Sequence, residues 1–157
     1  MKFKIIKDKE ILKKKCATVT DINSAALVGT EMLDFLRRTA NAVGLAANQV
    51  GINQQICVIN VDKPIILINP KITNSFKKIV FQEGCLSFPT ETVVTERYAN
   101  IIVTSDNHDN PLYFTEGNLL ESVCVQHEID HLNGITMHDR KIDVDNSDKP
   151  TYTTSIF

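Results

Sequence analysis

Gln126-His127-Glu128-Ile129-Asp130-His131 constrains this chain more than any other stretch. Histidines four apart sit one turn above each other on a helix, so both imidazoles leave the same face. A borderline metal such as Zn or Fe(II) takes neutral imidazole nitrogens, and this pair offers two from one rigid element. Glu128 lies one residue on from His127, near enough to the metal's open position to act as general base on a bound water. The alternative is a helix that carries His-Glu-x-x-His by chance, and in a chain of 157 residues such a match is uncommon. The stretch is read as a metal site.

What surrounds that helix is an ordinary globular sequence. The length fits one domain, 1–157, with a sizeable core, and a tail after about residue 147 that is expected to be peripheral. A net charge of −2 gives no reason to expect nucleic acid or an anionic membrane as partner. Lys13, Lys14 and Lys15 cut off the apolar core that a signal peptide would need, and no apolar stretch is long enough to span a bilayer. Cys16, Cys57, Cys85 and Cys124 without a secretory signal point to a reduced, cytoplasmic protein.

Along the chain, a short helix or turn is expected around Lys9–Lys14. Asp21 and Asn23 are cap-type residues ahead of an amphipathic helix over Ser24–Ala40, with Ala25, Val28, Met32, Leu36 and Ala40 at helical spacing. Asn41–Gly51 is rich in small residues, which let backbone approach a neighbouring element or a ligand closely; Gln49 there needs partners if buried. Gln55–Val61 and Ile65–Ile68 read as a hairpin across Asp62-Lys63-Pro64. Lys71–Phe81 reads as an exposed strand pair or strand and turn. Val93–Glu96 and Ala99–Ser105 read as two strands, and Leu112–Thr115 as a strand pairing back after a turn in which His108 is solvated. The motif helix is expected to start near Glu116–Asn118 with Thr115 as cap and to stop at Gly134. Leu120, Val123, Cys124, His127 and His131 form one stripe on it, so the metal face is also the apolar face. A metal there would lie at the floor of a pocket walled by Leu120, Val123 and Cys124.

Two histidines leave a catalytic metal one protein ligand short. Some zinc proteases continue as His-Glu-x-x-His-x-x-Gly-x-x-His; here Gly134 is in place, but the last position is Met137 and His138 comes one residue late. Cys85, in the loop-like Glu83-Gly84-Cys85-Leu86-Ser87, would bind as a thiolate. Spacing alone leaves both open.

Gly44-Leu45-Ala46-Ala47-x-Gln49, Glu83-Gly84-Cys85-Leu86-Ser87 and Gln126-His127-Glu128-x-Asp130-His131-Leu132-x-Gly134 occur in that order. Together they closely resemble the three signature motifs of peptide deformylases, over roughly the first 140 residues. The resemblance implies an α+β fold with antiparallel strands around a central metal-binding helix. It implies a hydrolase that removes the N-formyl group from the N-terminal formylmethionine of nascent polypeptides and releases formate. It makes Cys85 the third ligand beside His127 and His131, holding one divalent metal: Fe(II) by preference, with Zn, Ni or Co able to substitute. By the same resemblance Glu128 takes a proton from the metal's water and later passes it to the leaving amine, while the Gln49 side chain and the Leu86 N–H stabilise the oxyanion. Substrate-binding residues carried over are Val43, Gly44, Phe81, Glu83, Leu120, Val123 and Cys124, with the pair Glu83–Arg97 as structural support.

Ala42 stands where the first motif usually opens with glycine, Asn48 where proline or threonine is commoner, and Thr92 where some members carry arginine near the substrate backbone. Family members often add a long C-terminal helix associated with ribosome docking. This sequence ends soon after Arg140, as in short, phage-borne members, which would work in the cytoplasm of a bacterial host. The expected partners are N-formylmethionyl peptides, without nucleic acid or membrane, and ribosome contact is left open. Deletion of Asp148–Phe157 is expected to leave turnover within a few-fold. Rival readings are a zinc endopeptidase that uses His138, and a metal or redox sensor with Cys85 as its responsive thiolate.

Overall fold

The computed structural model describes residues 2–143 and 155–157. Asp8 caps α1 (Lys9–Leu12) by accepting from the Glu10 N–H at 2.9 Å. Asp21 caps α2 (Ile22–Arg37), its carboxylate accepting from both the N–H and the hydroxyl of Ser24. Ala25, Gly29, Met32, Leu33 and Leu36 form the buried face of α2. That face lies on a three-stranded antiparallel sheet of β1 (Gly44–Ala46), β2 (Ile56–Asn60) and β3 (Pro64–Ile68).

The second sheet departs from expectation in its lengths. Lys71–Cys85 is one strand, β4, and Phe88–Thr104 is one strand, β5; they pair antiparallel from Lys71↔Thr104 to Cys85↔Phe88. The expected breaks fall inside them because their causes are absorbed locally. Lys77 takes a left-handed φ of 67° within β4, and Arg97, between the two expected strands, is ion-paired inside β5. β6 (Leu112–Phe114) pairs with β5, and β7 (Ser155–Ile156) runs parallel to β4. His108, expected to be solvated, is half-buried with its Nδ1 2.7 Å from the Ser105 hydroxyl.

Between the sheets runs α3 (Leu119–Leu132). A 3-10 turn over Glu116–Asn118 precedes it, and the cap is Asn118, which accepts from the Glu121 N–H at 3.2 Å, rather than Thr115. Every residue from Ser122 to Leu132 is buried, so the apolar stripe marks one face of a helix that has no solvent face along that length. α3 stops at Asn133, after which Gly134 adopts φ 75°. The architecture is α+β, with antiparallel strands around a central helix. All four cysteines are buried and unpaired. No helix among the described residues is long and apolar enough to cross a membrane. The breaker cluster Asn146–Pro150 lies outside the described residues.

Candidate active site

The inner end of β4 delivers Cys85 to the helix histidines. Cys85 Sγ and one nitrogen each from His127 and His131 lie within 4.8 Å of one another, all buried. Sγ is 3.3 Å from His131 Nε2, and the two rings are 4.9 Å apart at 73°. Glu83 Oε1 sits 2.7 Å from His127 Nδ1, which places the proton on Nδ1 and leaves the Nε2 lone pair without a partner among the described residues. A thiol, two imidazoles and a buried unpartnered nitrogen fit a borderline divalent metal, with room for a fourth ligand. His138 is engaged elsewhere: its Nε2 is 3.0 Å from Glu91, and its ring packs edge-on against Phe88 at 4.7 Å.

Two buried glutamates flank this cluster, and their pKa values are shifted in opposite directions. Burial pushes Glu83 up, but the Arg97 guanidinium and His127 outweigh it and hold the carboxyl far below the usual range. Arg97 donates to both Glu83 oxygens, at 2.6 and 2.8 Å, and to Asp130 at 2.5 Å; Thr95 donates to Glu83 as well. Glu128 is fully buried, and neither of its oxygens has a hydrogen-bond partner among the described residues. Burial, then the charge of Glu83, raises its pKa well above the ordinary carboxylate value. Burial also raises Cys85, with Glu128 adding to it, and lowers His131, with His127 adding to it. Each shift favours the neutral form that a metal ion would reverse for the thiol.

β1 and the 3-10 turn after it supply the remaining groups. A Cβ on Gly44 would stand 2.5 Å from Glu128 Oε2 and 2.6 Å from Cys124 Sγ, so a side chain there would have to displace both groups. Gln49 Oε1 accepts from the Ala46 N–H at 3.0 Å, while Nε2 donates to Ser87 Oγ at 3.2 Å and lies 3.6 Å from Cys85 Sγ. The amide is thereby held with its nitrogen toward the ligand cluster. Val43, Phe81, Leu120, Val123 and Cys124 gather in one apolar cluster beside His127.

Three contacts bear on the expectations for this site. The Glu83 carboxylate, expected among the substrate-binding groups, is engaged by Arg97, Thr95 and His127. The Leu86 N–H donates to the Phe157 carbonyl at 3.0 Å. And Ser155–Phe157, expected at the periphery with the rest of the tail, lie against the site: Phe157 is fully buried, its ring 5.1 Å from that of His127. Three residues are too few for any sequence period to show what they pack against.

Asp130, Arg140 and Asn48, to which the sequence assigns no role, also tie the site together. Asp130 joins Arg97 to Arg140, whose Nε and Nη2 lie 3.0 and 2.9 Å away. Its signal was a carboxylate inside a helix whose neighbours are apolar. Asn48 Nδ2 donates to the His131 carbonyl at 2.7 Å, which ties the 3-10 turn to the end of α3.

Residues 2–147 match the polypeptide deformylase family. The chain is similar to peptide deformylase 2 of Vibrio cholerae, 42% identical over 121 residues that cover 74% of this chain and 71% of that protein. It is similar to the peptide deformylase of Desulfitobacterium hafniense, 43% identical over 134 residues that cover 83% of this chain and 88% of that one. The crystal structure of peptide deformylase from Thermotoga maritima superposes with a TM-score of 0.80 at 33% identity, covering 90% of this chain and 98% of the other. This chain belongs to the polypeptide deformylase family.

Proposed function

We propose that Glu128, Gln49 and Leu86 carry out deformylation of N-formylmethionyl peptides on a divalent metal held by Cys85, His127 and His131. Peptide deformylases remove the formyl group from nascent chains, and the division of labour follows from what each side chain is free to do. When bound, the metal supplies Lewis acidity and a water of lowered pKa. Glu128 takes the proton of the water that adds to the formyl carbon. It returns that proton to the methionine nitrogen as the C–N bond breaks, leaving formate and a free amine. Gln49 Nε2 and the Leu86 N–H donate to the oxygen that gains charge, provided Leu86 is released from Phe157. Glu83 fixes the His127 tautomer, with Arg97 and Asp130 holding it in place. Val43, Phe81, Leu120, Val123 and Cys124 take the methionine side chain, with Gly44 leaving room for the base.

The observation that carries this reading is the unpartnered Glu128 carboxylate beside three metal-binding atoms. A buried carboxylate without a hydrogen bond is costly, and such costs are retained where the group is used. Fe(II) is the metal of choice, and Zn, Ni or Co would substitute; residues 1–157 act as one catalytic domain in the cytoplasm. The test is formate release from formyl-Met-Ala-Ser by anaerobic Fe(II) protein, with an internal-peptide substrate alongside. Formate release without cleavage of the internal peptide is expected. Internal cleavage, or no turnover by folded and metal-replete protein, overturns the assignment.

A further inference from the structure

We infer that Ser155–Phe157 is an intramolecular competitor for the substrate groove. It adds as a strand to β4 and seats Phe157 in the apolar pocket, so that substrate enters only when the segment withdraws. The inference rests on the assignment of that pocket to the methionine side chain.

The contacts are those of a bound peptide. Glu83 pairs with Ser155 and Gly84 with Ile156, in parallel register along an edge of β4 that β5 does not use. The Phe157 N–H donates to the Gly84 carbonyl at 3.2 Å, and its carbonyl accepts from Leu86 at 3.0 Å. These are the main-chain groups of the Gly84–Leu86 edge that an extended ligand would use by strand addition. The side chain completes the match. Phe157 has no exposed surface, and its ring lies 5.9 Å from that of Phe81 and 5.1 Å from that of His127. It belongs to the cluster that contains Val43, Leu120, Val123 and Cys124. A methionine side chain and a phenylalanine ring cannot share that space, and the Leu86 N–H cannot serve both Phe157 and a formyl oxygen. Being part of the same chain, the segment competes at an effective concentration independent of how much protein is present. If it fills the pocket nine-tenths of the time, apparent affinity for an outside peptide falls about ten-fold.

The chain contains no tryptophan, so Phe157→Trp introduces a lone reporter at this position. In the full metal-replete chain its emission should start blue-shifted and move to the red as the product peptide Met-Ala-Ser is added. Deletion of Ser155–Phe157 should tighten Met-Ala-Ser binding and lower KM for formyl-Met-Ala-Ser, each about ten-fold. Emission that stays unchanged at saturating Met-Ala-Ser overturns the inference. So does a folded, metal-replete deletion that binds Met-Ala-Ser no better, or the absence of peptide binding to either form. If the deletion does not fold, the tryptophan titration alone decides. If neither form releases formate yet Met-Ala-Ser displaces the reporter, the catalytic assignment fails and the competitor stands.

Discussion

Gly44→Ala tests how tightly Glu128, the proposed base, is held. The new methyl would sit 2.5 Å from Glu128 Oε2 and 2.6 Å from Cys124 Sγ, where ordinary contact begins at 3.4 Å. Glu128 must therefore retreat by nearly an ångström. Cys124 and Glu128 lie one turn apart on α3, and that helix is buried on all sides from Ser122 to Leu132, so it cannot shift away as a body. Forcing a methyl into such packing costs about 1–3 kcal/mol. In a chain of this size that lowers Tm by roughly 2–4 °C per kcal/mol. Misplacing a catalytic group by about an ångström costs on the order of 100-fold in rate. The expected result is a folded variant with normal metal content, a melting temperature several degrees lower and kcat/KM for formyl-Met-Ala-Ser down about 100-fold. Gly117→Ala is the control, since its Cβ would meet only Thr115 Oγ1 at an ordinary 3.6 Å. Undiminished turnover by metal-replete Gly44→Ala would refute the reasoning, because Glu128 would then tolerate the displacement.

Glu128→Gln should keep its metal yet lose about two to four orders of magnitude in formate release, since the amide accepts no proton. Metal-free Glu128→Gln should also melt above the metal-free parent. Burial raises the Glu128 pKa, so ionising it destabilises the folded state, and the gap should widen as pH rises above about 4.3, the unfolded value. Cys85→Ser should lower metal stoichiometry and His138→Ala leave it unchanged; the reverse would favour the protease-like ligand set. Fe(II) protein should lose activity in air through the metal or its thiolate, while a redox-inert metal should resist. Arg97→Met should cost about 3–5 kcal/mol in urea unfolding at pH 7, because it strands Glu83. In the parent, Glu83 is held below its unfolded pKa, so its contribution is full above the carboxylate range and is lost as pH falls through it; Arg97→Met should flatten that acid limb.

Legibility in the sequence followed the range of the interaction. The two long helices and the β2–β3 hairpin are local, and spacing with caps such as Asp21 locates them within a few residues. From sequence the β4–β5 hairpin divides into shorter strands, because no local signal places Arg97 inside one. What keeps β5 continuous is a pair of carboxylates, Glu83 and Asp130, from other elements. Cap chemistry was read one step early, since Thr115 and Asn118 are both cap types and only the packed helix selects Asn118. At the site, helical spacing placed His127 above His131, but no spacing brings Cys85 to them; the resemblance did that. The return of Phe157 to β4 left no trace in the sequence, for a three-residue segment has neither period nor cap.

The two buried glutamates show why neighbours, and not residue type, assign the chemistry. Glu83 and Glu128 are equally inaccessible, and both lie beside His127 and Cys85. Arg97 is the asymmetry. It spends its guanidinium on Glu83 and Asp130, while Arg140 is spent on Asp130, so no cation is left within hydrogen-bonding reach of Glu128 among the described residues. Glu83 is thereby fixed as an anion that can only accept, which suits it to orient an imidazole and disqualifies it from moving protons. Glu128, without a hydrogen-bond partner among the described residues and with its pKa raised by burial, is the group left free to take a proton and give it back in the proposed reaction. Exchanging the two roles would require a guanidinium within hydrogen-bonding reach of Glu128 and none on Glu83, which a single substitution cannot bring about.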